Sequence, residues 1–143
     1  METFHNLVMG FSLSLTPLNL FYCFIGVVVG TIVGVLPGLG VAATVALLLP
    51  FTFYVKDTSA IILLAGIWYG SMYGGSTTAI LLRIPGETGS IMTCVDGYEM
   101  AKQGRAEVAI GISAFVSFIA GTLGVVWLML MAQPLAEFAL KFG

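Results

Sequence analysis

Long apolar runs alternate along this chain with short polar interruptions, and the runs define the predicted elements. Three of them are nearly free of charge, at 18–36, 58–82 and 106–132. Each reaches about the 20 residues that an α-helix needs to cross a bilayer. A shorter apolar run at 41–55 predicts a half-helix or a re-entrant arm, and 87–105 predicts an amphipathic segment near the membrane surface. The pattern predicts an all-α, polytopic integral membrane protein.

Two of the apolar runs contain residues that oppose a regular helix. The first ends in "VLPGLG", where Pro37, Gly38 and Gly40 predict an unwound backbone. The second contains "YGSMYGGSTT", where we expect the helix to loosen across Gly70, Gly74 and Gly75. Unsatisfied backbone groups cost several kcal/mol in hydrocarbon, so interrupted helices are tolerated there only beside protein or water. Two interruptions predict a polar cavity lined by broken helices, while the alternative that the glycines only kink two packed helices stays open.

Small residues also recur at every fourth position, in three stripes. The stripes are Gly26, Gly30 and Gly34; Gly66, Gly70 and Gly74; and Ser113, Ser117 and Gly121. This spacing allows two helix backbones to approach closely in a membrane. We therefore interpret the stripes as helix-packing surfaces.

Composition supports the membrane class and excludes several functions. Hydrophobic residues make up 59% of the 143 residues and charged residues 8%, with a mean hydropathy of +1.06. The net charge of −2 and the scattered lysines and arginines argue against a nucleic-acid partner. One histidine, two distant cysteines and no phosphate-binding loop leave no metal cluster and no nucleophile with a base. We predict no enzymatic activity, no catalytic residues and no metal site.

The predicted cavity has groups suited to an anion and a cation. The start of a half-helix presents free N–H groups, and unwound carbonyls offer oxygen ligands to a cation. Arg83 either reaches the lipid headgroups or faces the cavity as a carboxylate partner, and Glu87 is a cap, a salt-bridge partner of Arg83 or a gate. Arg83, Lys102 and Arg105 flank one loop, which favours its cytoplasmic placement over that of Lys56.

Three segments together carry a family resemblance: "GTIVGVLPGLGVAATVALLLPFTF", "GIWYGSMYGGSTTAILLRIPGE" and "GYEMAKQGRAEVAIG". They closely resemble the N-terminal part of the large membrane subunit (TctA type) of tripartite tricarboxylate transporters, over essentially all of residues 1–143. The resemblance implies an inverted-repeat, multi-pass permease of the bacterial inner membrane. It implies uptake of citrate-like carboxylates by symport with a cation, sodium or proton, and no other cofactor. The implied partners are a small membrane subunit, a periplasmic substrate-binding protein and the remainder of the same polypeptide.

The candidate substrate and ion site combines residues from the pattern with residues that match the family motifs. Its members are Pro37, Gly38, Gly40, Thr44, Tyr73, Gly74, Gly75, Ser76, Thr77, Thr78, Arg83, Pro85, Gly86 and Glu87. Relatives more often carry a neutral polar residue such as asparagine at position 83, so Arg83 raises the hypothesis of a different preferred anion.

Two other functions are compatible with the same residues. An ion channel is the first alternative, because "YGSMYGG" resembles a glycine-rich filter of carbonyls. A structural subunit of a membrane complex is the second, and it predicts that Ser76→Ala and Thr77→Ala leave function intact.

Overall fold

The computed structural model describes the backbone of residues 2–142 and the side chains of 5–141 except 133, and this part of the chain is all-helical without strands. The α-helices are α1 Glu2–Ser14, α2 Pro17–Gly34, α3 Gly40–Leu48, α4 Asp57–Leu82, α5 Ile91–Lys102 and α6 Ala106–Ala139. Short 3-10 helices occupy Leu49–Tyr54, Thr88–Ser90 and Leu140–Phe142. The chain forms two compact units, residues 1–110 and 111–143.

Helices α2 and α4 form the principal interface of the first unit, and they run in the same direction. Near their starts, the Ser59 hydroxyl lies 2.5 Å from Asn19 Oδ1. Further along, a Cβ added to Gly30 would meet Ile67, and one added to Gly34 would meet Ser71. Partners therefore advance together along both helices, which makes the pair parallel.

Glycine is required across this interface because the two backbones are in direct contact. An added Cβ would lie 2.3 Å from the Ile67 carbonyl oxygen at Gly30 and 2.2 Å from the Val27 carbonyl oxygen at Gly70. Close backbone approach at small residues provides dispersion contact where lipid gives no hydrophobic drive. The first two glycine stripes are thus confirmed as helix-packing surfaces. The third stripe lies on α6, where Ser113 and Gly121 are half-buried and Ser117 is exposed.

The segment between the parallel helices returns along α4 in the opposite direction. Gly40 at its start lies near Gly86, beyond the end of α2, and Thr44 is hydrogen-bonded to Ser71. Pro50 lacks an N–H donor and ends the α-helical part, so the segment continues as the 3-10 helix Leu49–Tyr54. Residues 40–54 therefore carry the chain from one end of the α2–α4 pair to the other.

The structure confirms one predicted interruption and contradicts the other. Residues 35–39 are non-helical, as expected from "VLPGLG". Helix α4, in contrast, runs without a break from Asp57 to Leu82, so the predicted loosening across Gly70, Gly74 and Gly75 is wrong. Gly74 packs against Thr31 of α2 and Val35, the residue that follows α2, and this contact holds the glycine in regular helix. The predicted end of the last run at Gln133–Pro134 is also wrong, because α6 includes Pro134.

Large apolar side chains lie mostly on the outside of the described chain. Phe21, Phe24, Phe115, Phe118 and Trp127 are among the exposed ones, whereas several of the buried side chains are small or hydroxyl-bearing. So many exposed large apolar side chains are unusual in water-soluble monomers. Pro17–Gly34 and Ala106–Ala132 are long and apolar enough to cross a membrane. The observed surface is that of a chain covered by lipid or by other apolar protein.

Candidate functional site

The two motif-bearing turns meet at one end of the α2–α4 pair. We call residues 35–40 the PGLG turn and residues 83–87 the PGE turn. A Cβ added to Gly86 would lie 2.5 Å from the Gly75 Cα and 3.4 Å from the Gly34 carbonyl oxygen. A Cβ added to Gly40 would lie 4.0 Å from the Gly86 carbonyl oxygen. The PGE turn therefore packs against Gly75 of α4, beside the end of α2 and the start of α3.

The PGLG turn depends on glycine for its backbone conformation. Gly38 has φ +92° and Gly40 has φ +63°, values that side-chain-bearing residues rarely adopt. Leu39, which precedes the first turn of α3, gives it no side-chain cap, so no side chain satisfies its first N–H groups. These N–H groups and the positive end of the helix dipole suit an anionic ligand. Pro37 lies in the same turn and is exposed.

A buried pair of hydroxyls links α3 to α4 below the PGLG turn. Thr44 is 1% exposed and donates to the Gly40 carbonyl oxygen at 2.8 Å. Ser71 is 2% exposed and donates to Thr44 Oγ1 at 3.4 Å. Thr44 was predicted from the sequence as a site residue, whereas Ser71, which lies shortly before Tyr73, was not. The signal available was its position next to Gly70 of the second stripe.

The hydroxyls after Gly75 bond within α4. Thr77 donates to the Tyr73 carbonyl oxygen at 2.9 Å, and Thr78 donates to those of Gly74 and Gly75 at 3.2 and 3.0 Å. This back-bonding to the preceding turn is common for threonine in helices. Thr78 is buried, whereas Tyr73, Ser76 and Thr77 are half-buried. Each bonded threonine oxygen keeps a lone pair, so these side chains can accept but have no second proton to donate.

Arg83 lies at the C-terminal end of α4, and its side chain contacts α5. Its φ of +59° places it in the left-handed region at the C-cap, and its guanidinium lies over the Tyr98 ring at 5.6 Å. Lys102 approaches the same ring at 5.1 Å and also forms a 3.0 Å ion pair with Glu99. Arg83 is exposed, as is Pro85. A cation–π contact thus accounts for the position of Arg83.

Glu87 is the acidic residue nearest to the meeting point of the turns. Its Cγ would lie 3.9 Å from a Cβ added to Gly75, and it forms a capping box with Ser90 at the 3-10 helix Thr88–Ser90. The Ser90 hydroxyl donates to the Glu87 carbonyl oxygen at 2.9 Å. Burial raises the pKa of the Glu87 carboxyl above its ordinary value. Of the three roles considered for Glu87, the structure shows the cap.

The structure brings some of the candidate residues together. Gly40, Gly75, Gly86 and Glu87 lie around one contact, whereas a Cβ added to Gly38 would meet nothing within 4 Å. Gly74 belongs instead to the α2 interface, and Arg83 belongs to the Tyr98 contact.

Comparison with known proteins agrees with the two motifs. The family model described as the tripartite tricarboxylate transporter TctA family matches residues 20–143. An Agrobacterium vitis protein described as an uncharacterized 52.8 kDa protein in the TAR-I ttuC' 3' region is 52% identical over all 143 residues. The chain spans 28% of the length of that relative. No solved structure matches the chain. The chain belongs to the tripartite tricarboxylate transporter TctA family.

Proposed function

We propose that this chain forms part of the permease subunit of a secondary transporter that imports citrate-like tricarboxylates or related carboxylates. The transporter works by alternating access, is driven by a sodium or proton gradient and lies in the bacterial inner membrane. The remainder of the polypeptide, a small membrane subunit and a periplasmic substrate-binding protein complete it. It moves its substrate without chemical conversion.

One observation carries this proposal: the two family motifs, about forty residues apart in sequence, form a single contact around Gly40, Gly75 and Gly86. The contact lies beside the uncapped start of α3, whose N–H groups match a carboxylate. Thr44 donates its proton to the Gly40 carbonyl oxygen and accepts one hydrogen bond from Ser71, so its oxygen keeps one lone pair, which suits a cation. The meeting of the turns supports a shared site for the carboxylate and the coupling ion.

The test is uptake of labelled citrate, and of shorter dicarboxylates, by cells that express the complete transporter with Gly86→Ala. To move the new Cβ from 2.5 Å to ordinary contact at 3.4 Å, the PGE turn must shift by about 0.9 Å, the difference of the two distances. We expect uptake to be lost while the protein remains in the membrane. Gly89→Ala is the matched control, because its Cβ would meet only a Glu87 carboxylate oxygen at 3.9 Å. Unchanged uptake by Gly86→Ala would contradict the site.

Gly38→Leu provides an independent test of the PGLG turn. Nothing lies within 4 Å of a Cβ at this position, so the expected loss of uptake comes from the positive φ and not from lack of space. Uptake at the wild-type rate would show that this backbone conformation is dispensable.

The two alternatives differ from transport in measurable ways. Gly70 to Gly75 lie inside regular α4, so their carbonyls do not form the unwound filter that the channel hypothesis requires. Saturable, gradient-dependent uptake that needs the soluble binding protein supports the transporter, whereas ohmic current supports a pore. Normal uptake by Ser76→Ala and Thr77→Ala would favour a structural subunit.

A further inference from the structure

We propose that residues 40–54 cross the whole membrane, and that the PGLG and PGE turns both lie at the cytoplasmic face, where their shared site opens. The proposal rests on the proposed function for the use of the site. The membrane path itself follows from the geometry of α2, α3 and α4.

The first step is the parallel arrangement of α2 and α4. Two parallel helices that are consecutive in a membrane need a connection that returns to the starting face. The Asn19–Ser59 bond places the start of α4 beside the start of α2, and Gly34 lies beside Ser71 at the other end. If α2 crosses the bilayer, the chain must cross again before Asp57.

The second step is that the connection has the required length. Helix α2 has 18 residues and rises about 27 Å at 1.5 Å per residue. Helix α3 contributes about 14 Å from 9 residues, and the 3-10 helix contributes about 12 Å from 6 residues. The sum of about 26 Å is close to the rise of α2 and approaches the roughly 30 Å of a hydrocarbon core. A re-entrant arm would bring the chain back to the face from which it entered, which is the face opposite Lys56. The chain instead reaches Lys56, so residues 40–54 are not a re-entrant arm.

The third step places the site along the membrane normal. Helix α4 has 26 residues and rises about 39 Å. Gly26, at the middle of α2, lies against Gly66 of α4, and Gly75 is about 14 Å further along α4 at 1.5 Å per residue. With α2 centred in a hydrocarbon core of about 30 Å, the meeting of the turns lies near one face and not at the centre.

The fourth step assigns the face. Arg83, Lys102 and Arg105 follow α4 at the end that carries both turns, whereas Lys56 marks the opposite end. Lysine and arginine are in excess on cytoplasmic loops. The turns therefore belong to the cytoplasmic side, and substrate leaves the site toward the cytoplasm in this conformation.

Single-cysteine labelling in the complete polypeptide tests the path. Cys23 and Cys94, together with any other native cysteine, are replaced by alanine, and Leu36→Cys, Lys56→Cys and Gln103→Cys are made one at a time. All three positions are exposed, and Leu36 is 51% exposed. A membrane-impermeant maleimide is applied to spheroplasts and to inside-out vesicles. Leu39→Cys reports on the same turn if Leu36→Cys fails to reach the membrane.

We expect Lys56→Cys to react only in spheroplasts, and Leu36→Cys and Gln103→Cys to react only in inside-out vesicles. Reaction of Leu36→Cys and Lys56→Cys from the same face would overturn the crossing. Reaction of all three with the faces exchanged would overturn the cytoplasmic placement. Reaction of Leu36→Cys only after detergent solubilisation would overturn the location of the turn at a membrane face. Labelling does not require uptake, so failure of the path and failure of the proposed function are distinguished.

Discussion

Replacement of Gly70 by alanine probes the contact on which the first unit depends. A Cβ at this position would lie 2.2 Å from the Val27 carbonyl oxygen and 2.9 Å from the Thr31 nitrogen. Both are backbone atoms of α2, so no side-chain rotation can make room. Ordinary contact at 3.4 Å requires the helices to separate by about 1.2 Å, the difference between 3.4 and 2.2 Å.

The expected loss of stability follows from this separation. A radial gap of about 0.5–1 Å already removes a quarter to a half of each dispersion contact, and the contacts around Gly26, Gly30 and Gly34 would loosen together. Overpacking costs about 1–3 kcal/mol, with the upper end appropriate where backbone must move. Alanine recovers up to about 1 kcal/mol through its higher helix propensity. We therefore expect a net destabilisation of about 2 kcal/mol.

A thermal melt in detergent measures this effect with a thiol-reactive fluorophore, because Cys94 is a buried free thiol that reacts when the chain opens. Gly10→Ala is the control, since nothing lies within 4 Å of its Cβ, and it should melt at or above the wild-type temperature. Equal melting temperatures for Gly70→Ala, Gly10→Ala and wild type would refute the reasoning about backbone contact.

Three further variants test separate parts of the unit. Because burial raises the pKa of Glu87, the folded chain binds its proton more tightly than the unfolded chain, and stability falls as pH rises through the raised value. Glu87→Gln keeps a capping side chain and should raise the melting temperature at about pH 8 but not at about pH 4; a gain confined to low pH would contradict this. Arg83→Asn should leave substrate preference unchanged, because asparagine tolerates a left-handed C-cap and the Arg83 guanidinium lies over the Tyr98 ring of α5; competition assays with different carboxylates decide it. Asn19→Leu removes the partner of the Ser59 hydroxyl and of an α1 carbonyl, and should cost about 1–3 kcal/mol in the same melt, whereas a neutral result would show that water replaces the amide.

Helix positions were predictable from the sequence because each long run carries its own signal. The predicted run 58–82 corresponds to α4, and Pro37 with Gly38 and Gly40 predicted the interruption after α2. Proline removes a donor and glycine alone adopts a positive φ at low cost, so these residues act on the local backbone whatever surrounds them. The membrane class followed from composition for a similar reason, since it needs no knowledge of contacts.

The state of Gly74 and Gly75 was not predictable, because a glycine in a helical run has two opposite uses. It weakens an isolated helix, yet it also permits another backbone to approach. Here Gly74 contacts α2 and Gly75 contacts Gly86, and these two contacts favour regular helix. The contact between Arg83 and Tyr98 was not predictable either, because it joins the end of α4 to α5.

By itself, the sequence determined that the chain is helical and apolar, where α2 ends and which motifs it carries. Only the tertiary structure decided that α2 and α4 are parallel, that Gly86 rests on Gly75, and that Ser71 joins Thr44. The physical reason is that local signals act through the conformation of single residues. The direction of a helix and the meeting of two turns depend on contacts between backbones that are distant in the sequence.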